Sequence, residues 1–192
     1  MRSPLMSPIV RLQGHERGRA GGEAGQTLVE FALVLPLLMI VVLGVIDLGK
    51  AFGYKNDLTN LANQAARAAA VNKCPGGCTS IEAWIKNQAP SNELRSGGGS
   101  IEGTGLQAAS AITFTFPDAG RPNYCPGDPV KATVKVHYNW LNFLKVMGAL
   151  PSPGADITGS ATVRLEKAYD VSNPANNAYA AGNVNLGGTC PP

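Results

Sequence analysis

Glu30 is the one carboxylate set inside the longest apolar run of the chain. Leu28 and Val29 precede it, and from Phe31 to Ile46 no residue carries a charge. A charged side chain at the centre of a membrane helix costs on the order of 2.5–3.5 kcal/mol, so a carboxylate kept here calls for a partner. Gly25 and Gln26 stand just ahead of it, where a basic, glycine-rich leader ends. The other residues able to do covalent or coordination chemistry are Cys74, Cys78, Cys125, Cys190, His15 and His137. All the cysteines follow the apolar run, an even number on the side that would be exported, where oxidising conditions favour disulfides. Three pairings are open to them. Cys74–Cys78 with Cys125–Cys190 is the predicted set, because Pro75-Gly76-Gly77 can close a tight loop. A zinc site is the alternative, but the histidines are few and no second C-x-x-C accompanies C-x-x-x-C, so no metal is predicted.

Paired carboxylates, a phosphate loop and a Ser/His/Asp arrangement are all missing from the pattern. No catalytic residue, no cofactor and no enzymatic activity are predicted. His137 alternates outward with Lys131 and Lys135 and reads as a solvated surface residue. Asp47 reads as an outer-interface residue rather than a proton carrier. Trp84 and Trp140 read as core or interface rather than sugar platforms, and residues 141–150 as cover for a core.

The elements that must position these groups follow from patterning. The apolar run approaches the roughly 20 residues of a membrane-spanning helix. The leader carries Arg2, Arg11, Arg17 and Arg19 against Glu16 and Glu23 and accounts for most of the net charge of +3. Arginines ahead of the span favour a cytoplasmic N-terminus. With no basic cluster on a folded face, nucleic acid is not an expected partner. An ordinary secretory signal fits poorly, since no small-x-small cleavage site follows Ile46 and the apolar block is long for one. Residues 1–25 are predicted to be a disordered leader. A helix is predicted over 26–73, its transmembrane half near 28–48 and kinked at Pro36. Beyond Ile46, Ala51, Tyr54, Leu58, Leu61, Ala62, Ala65 and Ala69 form one stripe, and Pro75-Gly76-Gly77 is expected to stop the helix.

Residues 74–192 are predicted to form an extracytoplasmic α+β head. Thr79 with Glu82 reads as a capping box opening a short helix. The stretch Ser96 to Gly105 reads as a flexible loop. Three strands alternate: Ile112, Phe114 and Phe116; then Val130 to Trp140; then Ile157 to Leu165. One apolar and one polar face predict a small antiparallel sheet, half covered by the stripe of the long helix. The tail from Ser172 is expected to be ordered only where Cys190 ties it down.

Gly25-Gln26-Thr27-Leu28-Val29-Glu30-Phe31-Ala32, Pro36, Asp47-Leu48-Gly49-Lys50-Ala51-Phe52 and the alanine-rich Leu58 to Ala70 resemble the TadE-like pseudopilins and minor pilins of tight-adherence (Flp, type IVc) pilus systems. The strand Ala161 to Glu166 is similar to the one that closes such domains, and the close resemblance covers about residues 25–71. It implies processing by a prepilin peptidase between Gly25 and Gln26, where a residue without a side chain enters a tight site easily. It also implies assembly with other pilin subunits by membrane machinery, Glu30 pairing with a neighbour's terminal amine, which offsets the cost of the buried carboxylate. A different expectation is an uncleaved, single-span membrane-anchored binding module, in which Trp84, Trp140 and residues 141–150 meet a ligand. Such a module needs neither the cut at Gly25 nor the carboxylate at Glu30.

Overall fold

The computed structural model describes residues 20–117, 125–142, 145, 148, 153–170 and 172–180. Its elements are helix α1 (Ala20–Ala70), α2 (Ile81–Gln88), α3 (Asn92–Ser96) and strands β1 (Ile112–Thr115), β2 (Pro129–Asn139) and β3 (Gly154–Arg164). Two compact units divide the chain, Met1–Val42 and Leu43–Pro192. In the first, every described side chain from Gly25 to Val42 is exposed. By length and composition α1 can cross a membrane, and none of its most apolar window is buried.

In the second unit the sheet has the order β1-β2-β3, antiparallel throughout. The register sets Ile112 opposite Val134 and Phe114 opposite Ala132, then Val130 opposite Val163 and Ala132 opposite Ala161. This brings the apolar residues of all strands to one face, as the alternation predicts. The stripe of α1 covers that face: Leu58, Ala62, Ala65 and Ala69 are fully buried in one core with Phe114, Val130, Val134 and Tyr138. The approach is close. A Cβ on Gly159 would lie 2.2 Å from the Leu58 carbonyl carbon and 2.4 Å from the Thr59 nitrogen, so β3 meets the helix backbone through a residue with no side chain.

Several local expectations need correction. Helix α1 already begins at Ala20, so residues 20–25, assigned to a disordered leader, are helical. Ala20, Glu23 and Ala24 are serviceable helix formers, and extending an existing helix needs no new nucleus. Residues 1–19 of that leader lie outside the described residues. Pro36 sits within α1. The helix is stopped by Asn72 before Pro75-Gly76-Gly77 is reached. Asn72 takes a φ of +47°, its N–H bonds the Ala69 carbonyl at 3.0 Å and that of Lys73 bonds Ala68 at 3.3 Å, a Schellman motif. Helix α2 is capped by Ser80, whose hydroxyl accepts from the Ala83 N–H. Thr79 stands one place too early for that bond, and the Glu82 carboxylate accepts instead from the Ala180 N–H at 2.7 Å.

The stretch 96–105 is packed rather than loose. Ile101 is 1% exposed and bridges to Tyr138 of β2. The tail also folds back: the Ala178 carbonyl accepts from the Ile81 N–H at 2.8 Å, and Tyr179 packs on Phe114 with ring centroids 4.7 Å apart. Asn72, 7% exposed, holds this strap, donating to the Asn177 side-chain oxygen at 2.8 Å and accepting from the Ala178 N–H at 2.8 Å. Cys74 and Cys78 form a disulfide across 5.4 Å between Cα atoms. Cys190, the partner predicted for Cys125, lies outside the described residues, as does most of 141–150.

Candidate functional site: the start of α1 and the face it carries

Gly25, Gln26 and Glu30 all lie on α1 and are exposed. Within an exposed helix glycine costs roughly 0.5–1 kcal/mol relative to alanine. At Gly25 a Cβ would meet nothing within 4 Å, so no close packing requires a glycine there. One turn on, the Gln26 side-chain nitrogen donates to the Glu30 carboxylate at 3.1 Å. The structure therefore brings Gln26 and Glu30 together on one helix face, as their spacing allows.

Farther along, α1 carries Asp47, Lys50 and Tyr54 at intervals of three and four, which places them on one side of the helix. Asp47 grips one part of the head, and Lys50 and Tyr54 converge on another. Asp47, 9% exposed, accepts from the Tyr138 phenol at 2.6 Å and from the Leu141 N–H at 2.8 Å. Burial, then the Asp47 carboxylate, push the Tyr138 phenol well above its ordinary value. Lys50 lies 3.2 Å from Glu93 and donates to the Ser100 hydroxyl at 3.3 Å. Tyr54 donates to Glu93 at 2.6 Å, and the Ser100 N–H also donates to Glu93. Burial works to raise the Glu93 carboxyl, but the bonds from Tyr54, Ser100 and Lys50 outweigh it and hold the group below the usual carboxylate range.

The glycines of the next segment make this clamp possible. Gly99 has a φ of +57°, and a Cβ there would sit 2.3 Å from the Glu93 carboxylate. Sequence reasoning took Asp47 for an interface residue and left Lys50 and Glu93 without a role. The spacing of Asp47, Lys50 and Tyr54 was a usable signal, whereas the partners arrive from distant segments.

His137 stands 2.8 Å from Asp156 and 3.4 Å from Glu102, and Lys135 pairs with Asp156 at 3.2 Å. His137, then Lys135, hold the Asp156 carboxyl below its ordinary value. This is an exposed ion-pair cluster joining β2, β3 and the segment before them. Among the described residues no group of three or more His, Cys, Asp or Glu is placed to hold a metal ion. Trp140 is half-buried and meets Tyr138 edge-on at 5.0 Å, and Trp84 is half-buried against the core.

One face of α1 stays open in the second unit. Val45 is 65% and Phe52 72% exposed, and Gly49 and Gly53 beside them have open Cβ positions.

No curated protein and no solved structure matches the chain. A family model does: residues 25–67 match the family described as TadE-like protein. The matched stretch begins at Gly25 and takes in Gln26, Glu30 and the clamp residues of α1; over residues 25–67 the chain is similar to the TadE-like family.

Proposed function

We propose that the protein is a minor pilin or pseudopilin subunit of a Tad-type pilus or a related secretion system, cut after Gly25 and assembled through its N-terminal helix. The observation that carries this reading is Gly25-Gln26 standing one turn before Glu30 at the head of an exposed apolar helix, where the TadE-like match begins. Among the described residues Gly25 has no packing neighbour to explain it, but a peptidase that draws the backbone into a narrow site does explain it. Glu30 has a reason to persist in an apolar segment if a neighbouring subunit supplies its counter-charge. Phe52 and Val45, exposed beside Gly49 and Gly53, offer a helix face on which another subunit's helix can lie closely.

In this reading residues 1–25 are the leader, cytoplasmic before the cut. Residues 26–73 form the assembling helix with its membrane half near 28–48, and 74–192 form an extracytoplasmic head. The partners are a prepilin peptidase, other pilin or pseudopilin subunits, the inner-membrane assembly machinery and lipid. No catalytic role is assigned.

The test is the intact mass and N-terminal sequence of the protein taken from membranes, with and without the prepilin peptidase, and for Gly25→Arg. The expected result is a chain starting at Gln26, lost in both controls. A chain still starting near Met1 in its native host overturns the pilin reading and favours an anchored binding module.

A further inference from the structure

Resting on the membrane-anchored reading of α1 but not on its cleavage, we infer that the head carries a lipid-docking surface around Leu48 and Phe52, where a groove between α1 and β3 seats a phospholipid. From Leu43 onward, the exposed large apolar residues among those described are Leu43, Val45, Ile46, Leu48 and Phe52, with Val71 alone elsewhere. Apolar exposure gathered at one place marks an interaction surface, whereas single scattered residues do not. A span of about 20 residues counted from Phe31 ends near Lys50, so Leu48 and Phe52 fall where hydrocarbon gives way to headgroups.

The groove holds about 250 Å³, with Leu48, Phe52 and Lys55 of α1 on one side and Trp140, Ile157 and Thr158 on the other. Its chemistry is ordered along the helix. The Tyr138 phenol meets Asp47, and Gly159 meets the α1 backbone at Leu58. Trp140, just past Tyr138, therefore lies toward the Leu48 end, and Thr158 toward Lys55. At that far end Lys55 donates to the Thr158 carbonyl. An apolar, aromatic stretch followed by a cation is the order in which a lipid presents its acyl chain and its phosphate, and it is how tryptophan and lysine sit at a membrane boundary. Asp156, also on the rim, is paired with Lys135 and His137, so its charge is balanced. By helix period Phe52 stands between this groove and the face of Val45, Gly49 and Gly53, so a lipid in the groove and a neighbouring helix on that face do not exclude each other.

The chain holds two tryptophans, which give the test an internal control. Trp84 lines a different pocket, beside Arg67 and Val71, and Arg67 is roughly 22 Å farther along α1 than Phe52. The experiment places the full chain, one copy per phospholipid nanodisc, in plain lipid and in lipid brominated high on its acyl chains. In Trp84→Phe, the remaining Trp140 should lose most of its emission in brominated lipid. In Trp140→Phe, the remaining Trp84 should lose little. The wild-type chain, given a phospholipid with a photoreactive acyl chain, should be labelled on Trp140 and residues 156–158 as well as on α1. Equal quenching of the two tryptophans, no quenching of Trp140, or labels confined to α1 overturns the docking surface while leaving the anchor intact. A chain that does not enter the discs overturns the membrane-anchored reading itself. Trp140 that is unquenched in one-copy discs, but shifts its emission to the blue in two-copy discs, assigns the groove to a second copy of the chain and not to lipid.

Discussion

Tyr54 of α1 and Glu93 at the head of α3 are joined by a 2.6 Å hydrogen bond from the phenol to the carboxylate. The two belong to elements 39 residues apart in sequence, so this bond fixes where the segment after α2 returns to the long helix. Lys50, one turn earlier, reaches the same carboxylate, and Ser100 closes the ring of donors. Gly99 leaves the space for it.

Glu93→Gln is expected to destabilise the head by about 1–3 kcal/mol, because an amide cannot accept from Tyr54, Ser100 and Lys50 together and partly buried donors lose their partner. Thermal unfolding of the full chain in detergent, wild type against variant, reads this as a lowered midpoint. The Glu93 carboxyl is held below its ordinary value when folded. Its contribution is therefore fully present above the ordinary carboxylate range and lost as pH falls through the folded value. The gap between wild type and variant should narrow on acidification, and a gap that stays constant would show that ionisation is irrelevant here.

Gly159→Ala should cost about 1–3 kcal/mol by overpacking. The added methyl falls 2.2–2.4 Å from the α1 backbone at Leu58 and Thr59, where no flexible side chain can yield. Gly49→Ala, with an open Cβ position, is the matched control and should not destabilise the isolated protein. Equal midpoints for both variants would contradict the close approach of β3 to α1.

Tyr179→Phe is expected to be neutral or stabilising. The ring is 2% exposed, and its hydroxyl has no hydrogen-bond partner among the described residues. Burial accordingly raises the Tyr179 phenol above its ordinary value. Removing an unpaired buried hydroxyl relieves a desolvation cost on the order of 1–3 kcal/mol, whereas Tyr179→Ala should be strongly destabilising through lost ring packing. Chemical denaturation midpoints distinguish the two outcomes.

Asp170 organises the strap. Bonds from Ser172, Asn176 and the Asn173 N–H hold its carboxyl down at about 2, against an ordinary value of 3.8. A carboxyl depressed by folding stabilises above its unfolded value and loses that contribution as pH falls through its folded one. The protection of the amides at residues 172–178, their exchange relative to the intrinsic rate at each pH, should therefore hold at neutral pH and fall between about pH 4 and 2. In Asp170→Asn that protection should be lower already at neutral pH. Protection in the wild type that ignores this window would remove Asp170 from the strap.

The stripe Ala51, Tyr54, Leu58, Leu61, Ala62, Ala65 and Ala69 was legible because helix period alone puts these residues on one face, and all are buried. Strand alternation likewise announced β1, β2 and β3 and the face each buries, and the Gly25-to-Glu30 pattern marked the segment that matches the TadE-like family. These are local signals, written in neighbouring residues. What sequence could not tell was which distant group would satisfy each polar one. Glu93 and its glycine-rich neighbours read as loop because composition reports backbone freedom, while order came from Ile101 docking on β2 and from three donors converging on one carboxylate. Asn72 and the returning strap were hidden for the same reason, since their bonds span more than a hundred residues. Periodicity decides which face is buried, whereas only the folded chain decides what a buried polar group meets, because desolvation must be repaid by partners that tertiary packing alone brings within reach.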